Sequence, residues 1–325
     1  MKVWKKLSAA CFAAALALSL AGCGEEHRAV ITGEIRDPEG SQSAQSAAPA
    51  AGPVRIATKP MTEQYILGEM LGLLIEDAGY EVEITKGIGG GTNNIHPAME
   101  QGEFDLYPEY TSSGWVMVLK HDAAGVDDGE MLDKLQAEYQ EKFGMTWVGL
   151  YGFNNTFAVA VREDVARQYG LKTTSDLAAA AGELNFGGNP DYLERADGFP
   201  LLAQSYGLNF QSVRDIDIGL KYQALRSGDI DVTNAFTTDA QLGSPDGGIV
   251  TLEDDKHLQV NYFCSTVVRQ DALEKYPGLE DALKKMDGLL TDGEMARLNY
   301  LVEVEGMDEK EAARTFLTEK GVLKG

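Results

Sequence analysis

The stretch Gly102-Glu103-Phe104-Asp105-Leu106-Tyr107-Pro108-Glu109-Tyr110-Thr111-Ser112-Ser113 has an echo further along the chain, Gly228-Asp229-Ile230-Asp231-Val232-Thr233-Asn234-Ala235-Phe236-Thr237-Thr238-Asp239. Superposing the two sets Gly102 on Gly228, Asp105 on Asp231, Leu106 on Val232, Tyr110 on Phe236 and Thr111 on Thr237. Each copy follows a run of helical character, 96–101 and 222–227. Each therefore reads as a helix, a glycine that ends it, a short buried strand, and a loop that carries an aromatic ring. Two readings are open at this point: the recurrence of a common helix-glycine-strand junction, or one device presented twice.

Outward from these copies the chain alternates between strand and helix. Residues 54–58 read as a strand, followed by a loop in which Thr62 is placed to cap a helix; Ile66, Leu67, Met70, Leu73 and Leu74 keep helical spacing until Gly79. Residues 80–85 alternate as a second strand. The glycine run 87–91 lacks both a Gly-Lys-Ser/Thr ending and a Gly-x-Gly-x-x-Gly pattern, so it is read as a permissive connection into a helix at Pro97 and not as a phosphate loop. A helix over 131–143 and strands over 146–150 and 156–161 follow, the two strands joined by a turn at Gly152-Phe153-Asn154-Asn155. Shorter helices and strands alternate to Arg269, and everything from Asp271 reads as helical. This order predicts α/β sheets covered by helices, arranged in two lobes.

Composition sets the bounds. At 325 residues there is material for two domains of about 100–150 residues each after the N-terminal segments. The chain carries 28 Lys+Arg against 51 Asp+Glu, a formal charge of -23, which argues for a soluble surface and against a nucleic-acid partner. Of the three cysteines, Cys11 and Cys23 lie in the N-terminal apolar segment, leaving Cys264 alone and excluding a disulfide framework. His27, His96, His121 and His257 are scattered without metal-ligand spacing, so no metal or other cofactor is expected and they are read as solvated or core residues. No Gly-x-Ser-x-Gly elbow is present, and Glu109 beside Asp105 reads as a solvated or capping acid, so no catalytic residues are assigned. Aromatic residues near loop tips are the stronger signal, and that signal is one of binding.

The first 22 residues read as a signal peptide: Lys2, Lys5 and Lys6 precede an apolar run too short to span a bilayer comfortably. Leu20-Ala21-Gly22-Cys23 resembles a bacterial lipobox, which implies cleavage before Cys23, lipidation of its sulfur and an extracytoplasmic, membrane-anchored protein; the alternative is an ordinary secretory signal with an incidental cysteine. Residues 23–53, ending in a Ser/Ala/Gln/Gly/Pro stretch, read as the lipidated Cys and a flexible tether.

Several motifs in order along the chain carry a wider resemblance: Thr62-Glu63-Gln64 after Lys59, Gly89-Gly90-Gly91-Thr92-Asn93, Asp105-Leu106-Tyr107-Pro108-Glu109-Tyr110-Thr111, Gly152-Phe153-Asn154-Asn155-Thr156, Thr237-Thr238-Asp239 and Leu252-Glu253-Asp254-Asp255-Lys256-His257. Together they resemble the substrate-binding proteins of ABC transporters for glycine betaine, carnitine, choline and related osmoprotectants. The resemblance implies a type II periplasmic-binding-protein fold, two α/β lobes around a ligand cleft joined by a two-strand hinge, with 54–153 plus 263–325 as one lobe and 154–262 as the other. It implies a monomer with no enzymatic activity that captures a quaternary ammonium solute and works with ABC permease subunits; choline or an amino acid is the alternative ligand. By matching motifs, the resemblance gives an aromatic cage to Tyr110, Phe157, Phe236 and Tyr262, and contacts to a ligand carboxylate to Lys59, Ser113 and Arg195. Phe157 and Phe236 stand where tyrosine is usual in the family. A trimethylammonium has no N-H to donate, so ring faces supply the attraction, about 0.5–2 kcal/mol per contact.

Overall fold

The structure, a computed structural model, describes residues 52–122, 127–194, 198–217 and 219–324. Among the described residues ten strands form two five-stranded sheets: β1 (Val54–Ala57), β2 (Val82–Thr85), β3 (Leu106–Tyr110), β4 (Met145–Asn154), β5 (Phe157–Arg162), β6 (Asn185–Gly188), β7 (Ser212–Asp215), β8 (Val232–Phe236), β9 (Ile249–Leu252) and β10 (Phe263–Arg269). The first sheet has the order β2-β1-β3-β10-β4 and the second β7-β6-β8-β5-β9. In each, three parallel strands are followed by antiparallel pairings, β3 with β10 and β8 with β5. Each sheet anchors its own buried clusters, the first around Leu67, Met70, Leu106 and Leu283, the second around Val161, Phe186, Leu202 and Val232. The molecule is mixed α/β with two lobes, as the alternation of elements required.

The sequence echo is the matching strand of the two sheets. Helix Thr92–Glu100 runs into Gly102 at φ 75° and β3; helix Lys221–Ser227 runs into Gly228 at φ 83° and β8. Glycine serves at both because a left-handed residue ends the helix without a Cβ clash. Asp105 then accepts the backbone N-H of Arg55 at 2.9 Å and pairs with the Arg55 guanidinium at 2.8 Å. Asp231 does the same with the N-H of Asn185 at 2.9 Å and with Arg162 at 3.0 Å. A second arginine completes the first knot, Arg269 donating to Phe104 O, as Arg162 donates to Ile230 O in the second. The device is built twice, once per sheet.

Several local expectations are corrected. Thr62 is the first residue of helix Thr62–Asp77 and not its cap, a position taken by Met61 without a side-chain bond. The second helix begins at Thr92, with Pro97 inside it. The helix expected over 131–143 starts earlier, at Asp128, because Asp127 accepts the N-H groups of Gly129 and Glu130. Gly152 to Asn154 do not turn: β4 continues through them to Asn154, with Gly149 and Gly152 at positive φ where the strand presses on the carbonyls of Leu283 and Leu290 and its register against β10 shifts. Strand β7 was not foreseen, since Ser212–Asp215 is a short, largely exposed edge without an apolar alternation.

The chain passes between the sheets twice, at residues 155–156 and over 253–262. Helix Asp292–Glu303 belongs to the first core through Met295 and Leu298, yet the turn Ala240–Gly243 of the second sheet lies directly on it. Contact there is backbone to backbone: a Cβ on Gly243 would stand 2.3 Å from the carbonyl oxygen of Ala296. Among the described residues, no helix is long and apolar enough to cross a membrane.

Candidate functional site

The lobes meet around one buried carboxylate. Glu63 lies in the first turn of helix Thr62–Asp77 and is 3% exposed. It accepts the Tyr110 hydroxyl from the end of β3, Asn155 Nδ2 at 2.9 Å from the first crossing, Asn299 Nδ2 at 3.3 Å from helix Asp292–Glu303, and the Thr238 hydroxyl from the loop after β8. Burial pushes its carboxyl above the usual range, and these four hydrogen bonds pull the other way. Asn299 also donates to Thr238 O at 2.8 Å, while its own Oδ1 has no partner. Both lobes, the first crossing and helix Asp292–Glu303 each send one polar side chain to this point.

Tyr110 is held from three sides. It sits in the core of the first lobe, 5% exposed, across the ladder from Cys264. Its hydroxyl is tied to Glu63 and its ring has Lys59 Nζ at 4.7 Å from the centroid. Lys59 forms an ion pair with Glu109, which also accepts the Thr92 hydroxyl and the N-H of Tyr110, each at 2.7 Å. Glu109 is thus neither solvated nor a helix cap: it is fully buried, because a buried lysine needs a counter-charge and β3 points this side chain at it. The same pair leaves the Lys59 charge balanced within the protein.

The second lobe contributes a pair of rings. Phe157 and Phe236 are partners across β5 and β8, and their side chains stack at 4.7 Å between centroids with 26° between planes. Tyr192 lies 5.4 Å from Phe157. Phe236 is 37% exposed, and it lines a depression of about 150 Å³ together with Met61, Glu63, Asn155, Thr238 and Asn299. A larger depression of about 420 Å³ is lined by Phe157 together with Tyr192, Tyr206, His257, Asn261 and Asp292 among others.

The remaining sequence-assigned residues are more dispersed. Tyr262 is half-buried against the first core and is fixed by its backbone, its N-H donating to Asn154 Oδ1 at 2.7 Å and its carbonyl accepting the Asn155 N-H. Ser113 is half-buried in the turn after β3, whereas its neighbour Ser112 binds the carbonyl of Asn261. Arg195 and Cys23 lie outside the described residues. Sequence reasoning assigned no role to Glu63, Asn155, Thr238, Asn299 or Tyr192. Glu63 did carry a signal, an acid inside the otherwise apolar face of a helix; Asn299, 236 positions away, carried none.

Comparison with known proteins agrees with this architecture. Residues 52–319 match the family described as the substrate binding domain of ABC-type glycine betaine transport system. The chain is 42% identical over 270 residues to the "Ergothioneine transport permease/ergothioneine binding protein EgtU" of Helicobacter pylori, a match covering 83% of this chain and 48% of that protein, so the chain spans about half of that relative's length. It is 32% identical over 275 residues to the "Carnitine transport binding protein OpuCC" of Listeria monocytogenes, covering 84% of this chain and 88% of the relative. Among solved structures, that of a glycine betaine/carnitine/choline ABC transporter superposes with a TM-score of 0.77 at 30% identity, covering 82% of this chain and 98% of that one. Apo YehZ from Escherichia coli superposes with a TM-score of 0.74 at 27% identity, covering 83% and 99% of the two chains. With its two sheets, its twofold crossing and a family match over most of its length, the chain belongs to the family of substrate-binding domains of ABC-type glycine betaine transport systems.

Proposed function

We propose that this protein captures a quaternary ammonium compatible solute of the betaine type outside the cytoplasmic membrane and delivers it to the permease of an ABC importer, making and breaking no bond. The observation that carries this reading is the stacked Phe157–Phe236 pair, which offers ring faces beside the Tyr110–Glu63 knot where the lobes meet. Ring faces suit a cation that cannot donate an N-H hydrogen bond. Closure of 54–153 plus 263–325 on 154–262 would bring ligand contacts that the open state lacks. Tyr110, Phe157, Phe236 and Tyr262 are the proposed cage, and Ser113 and Arg195 the proposed contacts to a ligand carboxylate. Lys59, which the same motif match gives to the carboxylate end, is already paired with Glu109.

Relatives are named for ergothioneine, carnitine and glycine betaine, all quaternary ammonium zwitterions. Calorimetric titration of the purified protein with these three, proline betaine and choline tests the reading. Binding of at least one below the millimolar range is expected, and millimolar or weaker binding of all five would overturn it. Lipid anchoring at Cys23 after removal of residues 1–22 is part of the same proposal. Incorporation of labelled palmitate that disappears in Cys23→Ala is expected, and equal incorporation in both would remove the anchor.

A further inference from the structure

Four acidic residues of the described chain are less than a tenth exposed: Glu63, Glu69, Asp105 and Glu109. Three have a cation. Glu69 pairs with Lys86 at 2.8 Å, Asp105 with Arg55 at 2.8 Å, and Glu109 with Lys59. Glu63 has neutral donors alone: one tyrosine, two asparagines and one threonine, and among the described residues no Lys, Arg or His forms an ion pair with it. A buried carboxylate in that state lacks the counter-charge that other buried acids here possess. The depression it shares with Phe236 holds two further acids, Asp239 and Glu303, and no basic side chain lines it. Asp239 is already compensated by Lys221. The orphan Oδ1 of Asn299, a residue that lines the same depression, adds another negative dipole without a partner.

We propose that Glu63 is a specificity-determining residue of the ligand site, the carboxylate that selects a cationic head group over a neutral group of the same shape. This rests on the binding function proposed above and adds to the cage a role that no aromatic ring fills. A ring face attracts a cation but also accepts an apolar group of equal size, since both gain contact area. A buried carboxylate at low local dielectric separates the two, because only the charged group interacts with it over a distance. Four donors drawn from both lobes, the crossing and helix Asp292–Glu303 hold that charge in place.

The test compares glycine betaine with 3,3-dimethylbutanoate, in which a carbon replaces the quaternary nitrogen, by calorimetric titration of the full protein. Wild type is expected to prefer the betaine by tenfold or more. In Glu63→Gln the betaine should weaken at least tenfold while the isostere changes less than twofold, so the preference collapses; Glu63→Asp, which keeps the charge, should restore most of it. Equal loss for both ligands, as a purely structural role would give, or an unchanged preference overturns the inference. If Glu63→Gln does not fold, Thr238→Val removes one of the donors that favour the charged carboxylate and should lower the preference at least twofold; no fall overturns the inference. Failure of wild type to bind any quaternary ammonium would instead overturn the proposed function itself.

Discussion

Asp105 and Asp231 occupy the same point of the two sheets, each holding the N-H of the neighbouring strand's residue and an arginine on the strand paired from the other side or beside it. Their surroundings differ. The Asp105 side chain is 1% exposed and has two arginines within 4 Å, whereas that of Asp231 is 14% exposed with one. Asp105→Ala should therefore cost about 2–3 kcal/mol of stability, since it leaves the Arg55 N-H without its acceptor and the Arg55 guanidinium without its ion pair while Arg269 keeps Asp271, and Asp231→Ala about 1–2 kcal/mol. Urea denaturation of the two variants measures the difference; equal losses would mean that burial does not decide the cost.

Tyr110→Phe keeps the ring and removes the donor to Glu63. An apo stability loss of about 1–3 kcal/mol is expected, because a buried acceptor loses a partner. Tyr110→Ala should cost more, about 3–5 kcal/mol, since the ring is part of the first core. Thermal unfolding of the ligand-free variants checks this order.

Lys59→Met should act on folding before it acts on ligand. It strands Glu109, which is fully buried, and the expected cost is about 3–5 kcal/mol. Lys59→Met combined with Glu109→Gln should recover part of that loss, and a double-mutant cycle in urea reads the coupling.

Gly243→Ala places a methyl group against the backbone of helix Asp292–Glu303, where no flexible side chain can yield. The turn Ala240–Gly243 must lift off the helix, so the lobes should open. Small-angle scattering of the ligand-free variant should show a larger radius of gyration than wild type, with a loss of about 2 kcal/mol or more in stability.

His96 is 5% exposed, its ring edge-on to Tyr139 and Phe143, and neither ring nitrogen has a hydrogen bond. Burial lowers its pKa from 6.5 to about 4. The folded state thus binds the proton less well than the unfolded chain. The resulting stability, about 3 kcal/mol, is fully present above pH 6.5 and is lost as pH falls toward 4. His96→Phe should flatten the stability curve between those values relative to wild type; parallel curves would remove the assignment.

The α/β alternation was legible because strands and helices bury different periodicities, and residues such as Leu67, Met70 and Val232 declare those periods locally. The paired Gly102 and Gly228 were legible for a similar reason, a left-handed backbone restricting the residue at both. Edge strand β7 was not, since an exposed strand has no buried face to pattern. The charge state of the site was not legible either. Glu109 looks like any surface acid in sequence, and only its position opposite Lys59 shows it to be half of a buried pair.

By itself the sequence determined the two-lobed α/β organisation and the repeated helix-glycine-strand unit, because both are written in local spacing and residue type. The tertiary structure alone decided which residues meet. Asn155, Thr238 and Asn299 converge on Glu63 from segments far apart in the chain, and hydrogen bonds between distant segments leave no local periodicity to read. The same convergence buried one carboxylate without a counter-ion, since burial and pairing depend on what the fold brings within 4 Å and not on neighbours in sequence.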